Sequence, residues 1–411
     1  MNLKQRFLTT FLVVYTLLTL LFVSGCNHSD TNEEIPANKT GKLLNIEKVA
    51  TYTATQVGDM IKSEAPFVSN NFPPVYDIDY YVLTYETTNY DGTATFATGV
   101  MAIPIGIGKD LPLASYQHGT MLGRNEAPSK GGTERLLALG MASSGGYLGV
   151  APDYLGLGDG PGLHPYVHAA SEATATIDML RATRNYCQQN AIGLNGQVFL
   201  FGYSQGGHAT AAAQKMIEEK YPHEFTITAS APMAGSYDMS GVMTEVMLSE
   251  QEYPAPGYLP YVIFSYNMVY KIYPSLDSVF TDSIAQKIAP FFTDQHQAGL
   301  WDVSQYIPNI PIKALNPNFV AAFKNDINHP MRQALRDNDL YNWKPKSPTR
   351  LYHCGGDKHV PYQNALVAIG KFTQLGAADA TLVTPNESYG HDLCVLPSLL
   401  AVKTWFDTLK K

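Results

Sequence analysis

Gly202-Tyr203-Ser204-Gln205-Gly206 sits between an apolar run, Gln197 to Phe201, and a helical pattern that begins at His208. That setting makes it a nucleophile-elbow candidate, because an elbow requires a strand that turns sharply into a helix with a serine at the apex. The string alone is common, and a glycine-bounded turn with an incidental serine carries the same letters. Here the strand and the helix are both legible. The strained apex costs on the order of 1–3 kcal/mol, and Gly202 and Gly206 lack the Cβ atoms that would collide where strand and helix are pressed together. Ser204 is then lifted toward solvent.

The pattern of elements around it sets the fold class. Val75 to Ile103 is rich in Tyr, Thr and Val and is interrupted by turn chemistry at Asp91-Gly92, which predicts an antiparallel hairpin. Apolar runs follow at Leu111–Tyr116, Tyr147–Ala151, Gln197–Phe201 and Phe225–Ala231. Helical stretches near Thr133–Ser143, Ala169–Gln188 and His208–Lys220 separate them. Alternation of strand and helix predicts a mostly parallel sheet with helices on both faces. Between Gly235 and Lys346 the alternation stops, and the segment is rich in Tyr, Pro, Met and Phe. Strand and helix resume at Arg350–Gly355, Pro361–Gln374, Ala380–Thr384 and Pro397–Lys410. The expectation is an α/β core over residues 46–235 and 347–411, with a cap or lid, 236–346, inserted after the sixth strand.

The N-terminus reads as an export signal over residues 1–25: Lys4 and Arg6 give the positive start, Phe7 to Val23 the apolar stretch, and Ser24-Gly25 the small residues. Val23-Ser24-Gly25-Cys26 resembles the lipobox of bacterial lipoproteins, which implies cleavage before Cys26 and lipid attachment there. An uncleaved membrane anchor is the alternative, but the apolar stretch is short for a spanning helix. The expected place is the periplasmic or outer side of a bacterial membrane, with the lipid as the tie. Residues 26–45 are polar and lack an apolar period, so they read as a flexible tether. Removing residues 1–25 takes away two positive charges and no acid, moving the chain from −8 to −10. An acidic chain without a basic cluster argues against nucleic-acid binding.

A serine hydroxyl becomes a useful nucleophile only when a histidine takes its proton and a carboxylate holds that histidine in the right tautomer. In elbow folds the chain order is serine, acid, histidine. Asp357 follows the run Arg350–Cys354 through Gly355-Gly356, and His391 follows the later strand through Tyr389-Gly390. Both then sit at the carboxyl ends of strands, where open α/β sheets build their sites. Asp153 and Asp159 precede the serine and read as structural. His208 reads as facing the sheet or packing locally, and Asp392 as pointing elsewhere. His353 and His359 flank Asp357 and compete with His391 for the role of base; chain order and the glycine before it favour His391. For the oxyanion, the backbone N–H of Gln205 and an amide of Gln117-His118-Gly119-Thr120 are the candidates, Thr120 first and Gly119 in reserve. An ordinary tight turn at His118-Gly119 is the alternative. The histidines are scattered and no metal-binding spacing occurs, so no metal and no cofactor is expected. Gly156-Leu157-Gly158 lacks the lysine and the spacing of a phosphate loop and reads as shaping a loop near the site.

With elbow, acid and histidine in this order, the chain resembles an α/β-hydrolase. More specifically, Ser115-Tyr116-Gln117-His118-Gly119-Thr120, Ala151-Pro152-Asp153-Tyr154-Leu155-Gly156, the elbow through Gly207, Gly356-Asp357 with Val360-Pro361, and Gly390-His391 resemble the secretory lipases of the fungal lipase A type. The resemblance implies hydrolysis of carboxylic esters, lipids included, through an acyl-enzyme, with a cap over the acyl pocket. A serine peptidase of the same fold would carry an indistinguishable triad, and a binding protein on the same scaffold would usually have lost one of its members. Tyr258, Tyr261, Phe264, Tyr266, Met268, Tyr270, Phe291 and Phe292 either line an apolar pocket or form the core of the cap. Cys354 and Cys394 lie close in sequence to Asp357 and His391, so a bridge between them would pin the two loops together.

Overall fold

The computed structural model describes residues 40–66, 72–293 and 299–411. Residues 1–25, read as an export signal, Cys26 and most of the segment read as a tether lie outside the described residues. Nine strands form one sheet: β1 (Leu43–Tyr52), β2 (Ile78–Thr88), β3 (Ala94–Pro104), β4 (Leu111–Gln117), β5 (Leu148–Pro152), β6 (Leu194–Tyr203), β7 (Ile227–Met233), β8 (Thr349–Tyr352) and β9 (Ala380–Val383). Their spatial order is β1-β2-β3-β5-β4-β6-β7-β8-β9. The β1–β2, β2–β3 and β3–β5 pairs are antiparallel, and every pair from β5–β4 onward is parallel. This is the mostly parallel sheet that the alternation predicts, in keeping with the α/β-hydrolase fold that the resemblance implies.

The hairpin turns where expected: β2 and β3 run in register from Ile78↔Pro104 to Thr88↔Ala94. Gly92 takes the left-handed conformation at φ 83°, and Asp91 Oδ1 accepts from the Thr93 amide at 3.0 Å.

Twelve helices accompany the sheet among the described residues: α1 (Ala54–Glu64), α2 (Arg135–Gly145), α3 (Ala169–Gln189), α4 (Gln205–Lys220), α5 (Val242–Met247), α6 (Tyr258–Tyr270), α7 (Asp282–Ile288), α8 (Leu300–Ser304), α9 (Pro317–Asn325), α10 (Pro330–Asp337), α11 (Gln363–Gln374) and α12 (His391–Leu409). Of these, α1–α4, α11 and α12 cover the two faces of the sheet. Along β6, Phe199 and Phe201 join α1, α2 and α12 in one buried cluster, while Val198 and Leu200 join α3 and α4 in another. Because strand side chains alternate, a run that is apolar at every position is the signature of a strand buried on both faces.

Three boundaries differ from the sequence reading, each for a physical reason. β1 begins at Leu43, inside the segment read as tether, and Gly41 already bonds the Glu86 carbonyl at 2.7 Å. It is an edge strand with mostly solvent-facing positions, so it carries little hydrophobic signal and owes its shape to pairing with β2. The helical segment therefore enters after the seventh strand rather than the sixth. α12 begins at His391, six residues before Pro397, and passes through that proline; a proline normally marks a helix start, which hid the first turns. Among the described residues between β7 and β8 none joins the sheet, and α5–α10 bury a core of their own around Ile263, Tyr266, Phe280 and Phe323. No helix among the described residues is long and apolar enough to cross a membrane.

Candidate active site

Ser204 is the hinge between β6 and α4, with φ 61° and ψ −121°. A left-handed serine here is the strained apex that an elbow requires. The glycines on either side are obligatory: a Cβ on Gly206 would lie 1.9 Å from the Gln117 carbonyl oxygen, and one on Gly202 would lie 2.4 Å from the Gly206 carbonyl oxygen. Only bare backbone lets β4, β6 and α4 meet this closely.

The structure brings Ser204, His391 and Asp357 together from three elements 153 and 34 residues apart in sequence, the second separation being that between Asp357 and His391. Ser204 Oγ lies 2.8 Å from His391 Nε2, and His391 Nδ1 lies 2.6 Å from Asp357 Oδ2. Asp357 stands in the loop after β8, where its Oδ1 accepts from the amides of His359 at 2.9 Å and Val360 at 3.0 Å. His353 Nε2 sits 3.1 Å from Oδ2. Burial by itself would raise this carboxyl, but the hydrogen bonds and charges of His353 and His391 outweigh it and hold the group well below the usual carboxylate range. His391 opens α12, and its backbone carbonyl accepts from the Tyr203 hydroxyl at 2.7 Å. The residue before the serine thus fixes the backbone of the histidine.

Cys354 and Cys394 are joined in a disulfide, with Cα atoms 5.9 Å apart. It ties the loop that carries Asp357 to the first turn of the helix that carries His391.

The competitors lie elsewhere. Asp153 is fully buried and accepts from Thr98 Oγ1 at 2.6 Å and the Ser129 amide at 2.9 Å. Asp159 pairs with Lys130 at 2.5 Å. His208 meets Glu172 at 2.6 Å rather than the cleft. His359 packs against His391 with ring centroids 5.1 Å apart and the planes tilted by 38°, and burial pulls it below the usual histidine range. His353, weighed from sequence as a rival base, stands behind the acid instead.

Among the oxyanion candidates, the Gly119 amide is occupied: it donates to Glu134 Oε2 at 2.9 Å, and the same oxygen accepts from the Tyr116 hydroxyl at 2.6 Å. The amides of Thr120 and Gln205 have no acceptor among the described residues. Glu134 was missed in the sequence, since a glutamate opening a helix is ordinarily read as dipole compensation.

A cleft of about 280 Å³ opens over the serine, lined by Thr120, Glu134, Tyr203, Ser204, Tyr258 and His391. Tyr258 also walls a smaller apolar cavity of about 60 Å³ among Met239, Met243, Met247 and Val262. Much of the aromatic set singled out above packs on itself: Tyr261 stacks on Tyr166 at 4.3 Å and Phe264 on Phe292 at 4.5 Å. Methionines contribute more to that cavity than the aromatic residues do.

The sequence profile of the family described as secretory lipase matches residues 131–408, which include all three residues brought together here. The chain belongs to the secretory lipase family. As a secretory lipase it is a carboxylic-ester hydrolase, and solved structures agree. The rice cell wall degrading esterase LipA from Xanthomonas oryzae, in a ligand-bound form, is 30% identical with a TM-score of 0.77, over 90% of this chain and 98% of that one. A Legionella pneumophila protein proposed to be a hydrolase is 28% identical with a TM-score of 0.81, over 89% and 97%. Candida antarctica lipase A, 20% identical with a TM-score of 0.66 over 86% of this chain and 78% of that one, shares the fold. No curated protein sequence matches the chain.

Proposed function

We propose that this secretory lipase cleaves esters through an acyl-enzyme on Ser204. Ser204 Oγ attacks the ester carbonyl carbon while His391 Nε2 takes the hydroxyl proton, and Asp357 holds the ring with its Nδ1 proton inward. The amides of Gln205 and Thr120 receive the oxyanion, each such donor being worth about 2.7–4 kcal/mol of transition-state stabilisation. As the carbon–oxygen bond to the alcohol breaks, His391 returns the proton to the leaving oxygen. Water then repeats the sequence on the acyl-serine and releases the acid. The observation that carries this reading is the unbroken run of hydrogen bonds from Ser204 to His391 to Asp357, at 2.8 and 2.6 Å.

Residues 236–346 serve as the cap in this reading, and the methionine-walled cavity beside Tyr258 offers apolar room for part of the ester. The chain is exported and held to the membrane through lipid on Cys26, which fits a family described as secretory and a disulfide that persists in an oxidising compartment. Loss of radiolabelled palmitate incorporation in Cys26→Ser would bear on the anchor; retained label would remove it.

The test is hydrolysis of p-nitrophenyl esters from acetate to palmitate by residues 27–411, with Ser204→Ala as the blank. Turnover confined to the serine-bearing protein is expected, and its chain-length optimum separates a short-acyl esterase from a lipase. Equal turnover by Ser204→Ala would sink the reading.

A further inference from the structure

Behind the elbow lies a buried polar network that the triad chemistry leaves unused. Gln205, the residue after Ser204, is 2% exposed. Its Nε2 donates to Glu172 Oε1 at 2.8 Å and to His164 Nε2 at 2.7 Å. The second oxygen of Glu172 accepts from His208 Nδ1 at 2.6 Å, and His208 Nε2 faces the Asn338 carbonyl at 3.1 Å. His164 Nδ1 faces the Leu155 carbonyl at 2.9 Å, so the proton sits on that nitrogen and leaves Nε2 as the acceptor that Gln205 requires. Glu172 and His208 have no exposed surface at all.

Such a network is a poor device for stability. A buried carboxylate–imidazole pair gains little over well-packed apolar side chains of similar volume, and Gln205 Oε1 is buried without a partner among the described residues, which adds a desolvation cost. What the arrangement does achieve is to fix Gln205. Both side-chain N–H groups of that residue are directed at fixed acceptors, and its backbone amide, directly after Ser204, has no acceptor among the described residues. A side chain anchored on two sides restrains the backbone of its own residue, here in the first residue of α4, immediately after the strained serine. Further along α4, Thr210 Oγ1 shares its one proton between the Gly206 carbonyl at 2.7 Å and Gln117 Oε1 at 2.9 Å, which links the helix to the end of β4.

We propose that Glu172 is a positioning residue for the oxyanion hole, acting through the Gln205 side chain, with His164 and His208 holding the two carboxamide and carboxylate groups in register. The inference rests on the reading of Ser204 as nucleophile and of the Gln205 amide as oxyanion donor. His208 carries the network onward to Asn338, directly after α10, whose side chain accepts from the Ala169 amide at 2.8 Å and donates to the Tyr270 hydroxyl at 2.9 Å. The oxyanion donor is thereby tied to the helical segment between β7 and β8.

The experiment is steady-state hydrolysis of p-nitrophenyl butyrate by the full chain in detergent, comparing wild type, Glu172→Ala, Glu172→Gln, Gln205→Ala and the double variant Glu172→Ala/Gln205→Ala, with Ser204→Ala as the blank. Glu172→Ala is expected to lower kcat about tenfold or more with KM within about twofold, because the donor acts on the transition state. Glu172→Gln should recover most of that loss, since its amide oxygen accepts from Gln205 and its NH₂ donates to His208 Nδ1. The double variant should fall no further than the worse single variant, as expected for two residues acting through one contact. Losses that multiply in the double variant overturn the proposal, as does wild-type kcat in Glu172→Ala accompanied only by a lower Tm. If Glu172→Ala does not fold, wild-type kcat in Gln205→Ala overturns it alone, because that substitution leaves every backbone group in place. Turnover that survives in Ser204→Ala overturns the underlying reading and this one together; serine-dependent turnover with multiplying losses overturns this one only.

Discussion

Asp357 concentrates four donors on one carboxylate: the two imidazoles of His391 and His353 and the amides of His359 and Val360. Its side chain keeps its charge far below neutral pH, so the His391 ring is oriented throughout any working range. Asp357→Asn should leave the fold intact by circular dichroism yet lower kcat by about 10⁴-fold, because an amide NH₂ facing Nδ1 selects the tautomer whose Nε2 cannot accept the serine proton. A loss under tenfold would show that His391 is oriented by something else. Chain order, the glycines before each residue and a place just past a strand pointed to Asp357 and His391. They could not place His353, whose ring lies beside the acid only because the loop after β8 folds back on itself, nor Glu134, which reaches Gly119 across the mouth of the cleft.

At the scale of the element, the elbow works because two glycines remove the atoms that would hold β6 and α4 apart. Gly206→Ala would place a methyl inside the Gln117 carbonyl and should cost ~3 kcal/mol or more, measured by urea denaturation. Gly370, in α11, has nothing within 4 Å of the corresponding position. There Ala should stabilise by roughly 0.5–1 kcal/mol through helix propensity. If both substitutions gave similar changes, close packing at the elbow would not be what its glycines provide. The elbow was legible because a fully apolar strand, a small-residue turn and a helix follow one another in sequence. β1 and the first turns of α12 were not, since one depends on a partner strand and the other runs through a proline.

At the scale of the molecule, two long-range features bear on stability. The Cys354–Cys394 disulfide closes a separation of 40 residues, which the chain-entropy argument values at up to roughly 4 kcal/mol. Cys354→Ser/Cys394→Ser should lower stability toward that amount and reduce kcat by loosening both loops; an unchanged denaturation midpoint would contradict this. Burial pushes His164 down to about 3 and His168 down to about 4, the latter with help from His208. Both histidines therefore stay neutral in the fold while the unfolded chain takes up protons near 6.5. Their contribution is intact above about pH 6.5 and is lost as the pH falls toward 4, by up to about 1.4 kcal/mol per pH unit for each ring. His168→Asn should flatten that slope by about one proton, read from urea midpoints at pH 7 and pH 4.5. An equal slope in wild type and variant would refute the assignment.

The sequence by itself determined the α/β alternation, the strand–turn–helix at Ser204 and the order of the proposed acid and base, because each of these is written in contiguous residues: periodicity of two or 3.6, glycine spacing, and a polar residue just past an apolar run. Tertiary structure alone decided where the rival imidazoles of His353 and His359 go, which backbone amides are left without an acceptor, and which side chains stand behind them. Those outcomes depend on angles between elements far apart in the chain. A difference of an ångström or two in how α3 or the loop after β8 packs determines whether a histidine becomes a base, a support for the acid, or a buried partner of Glu172.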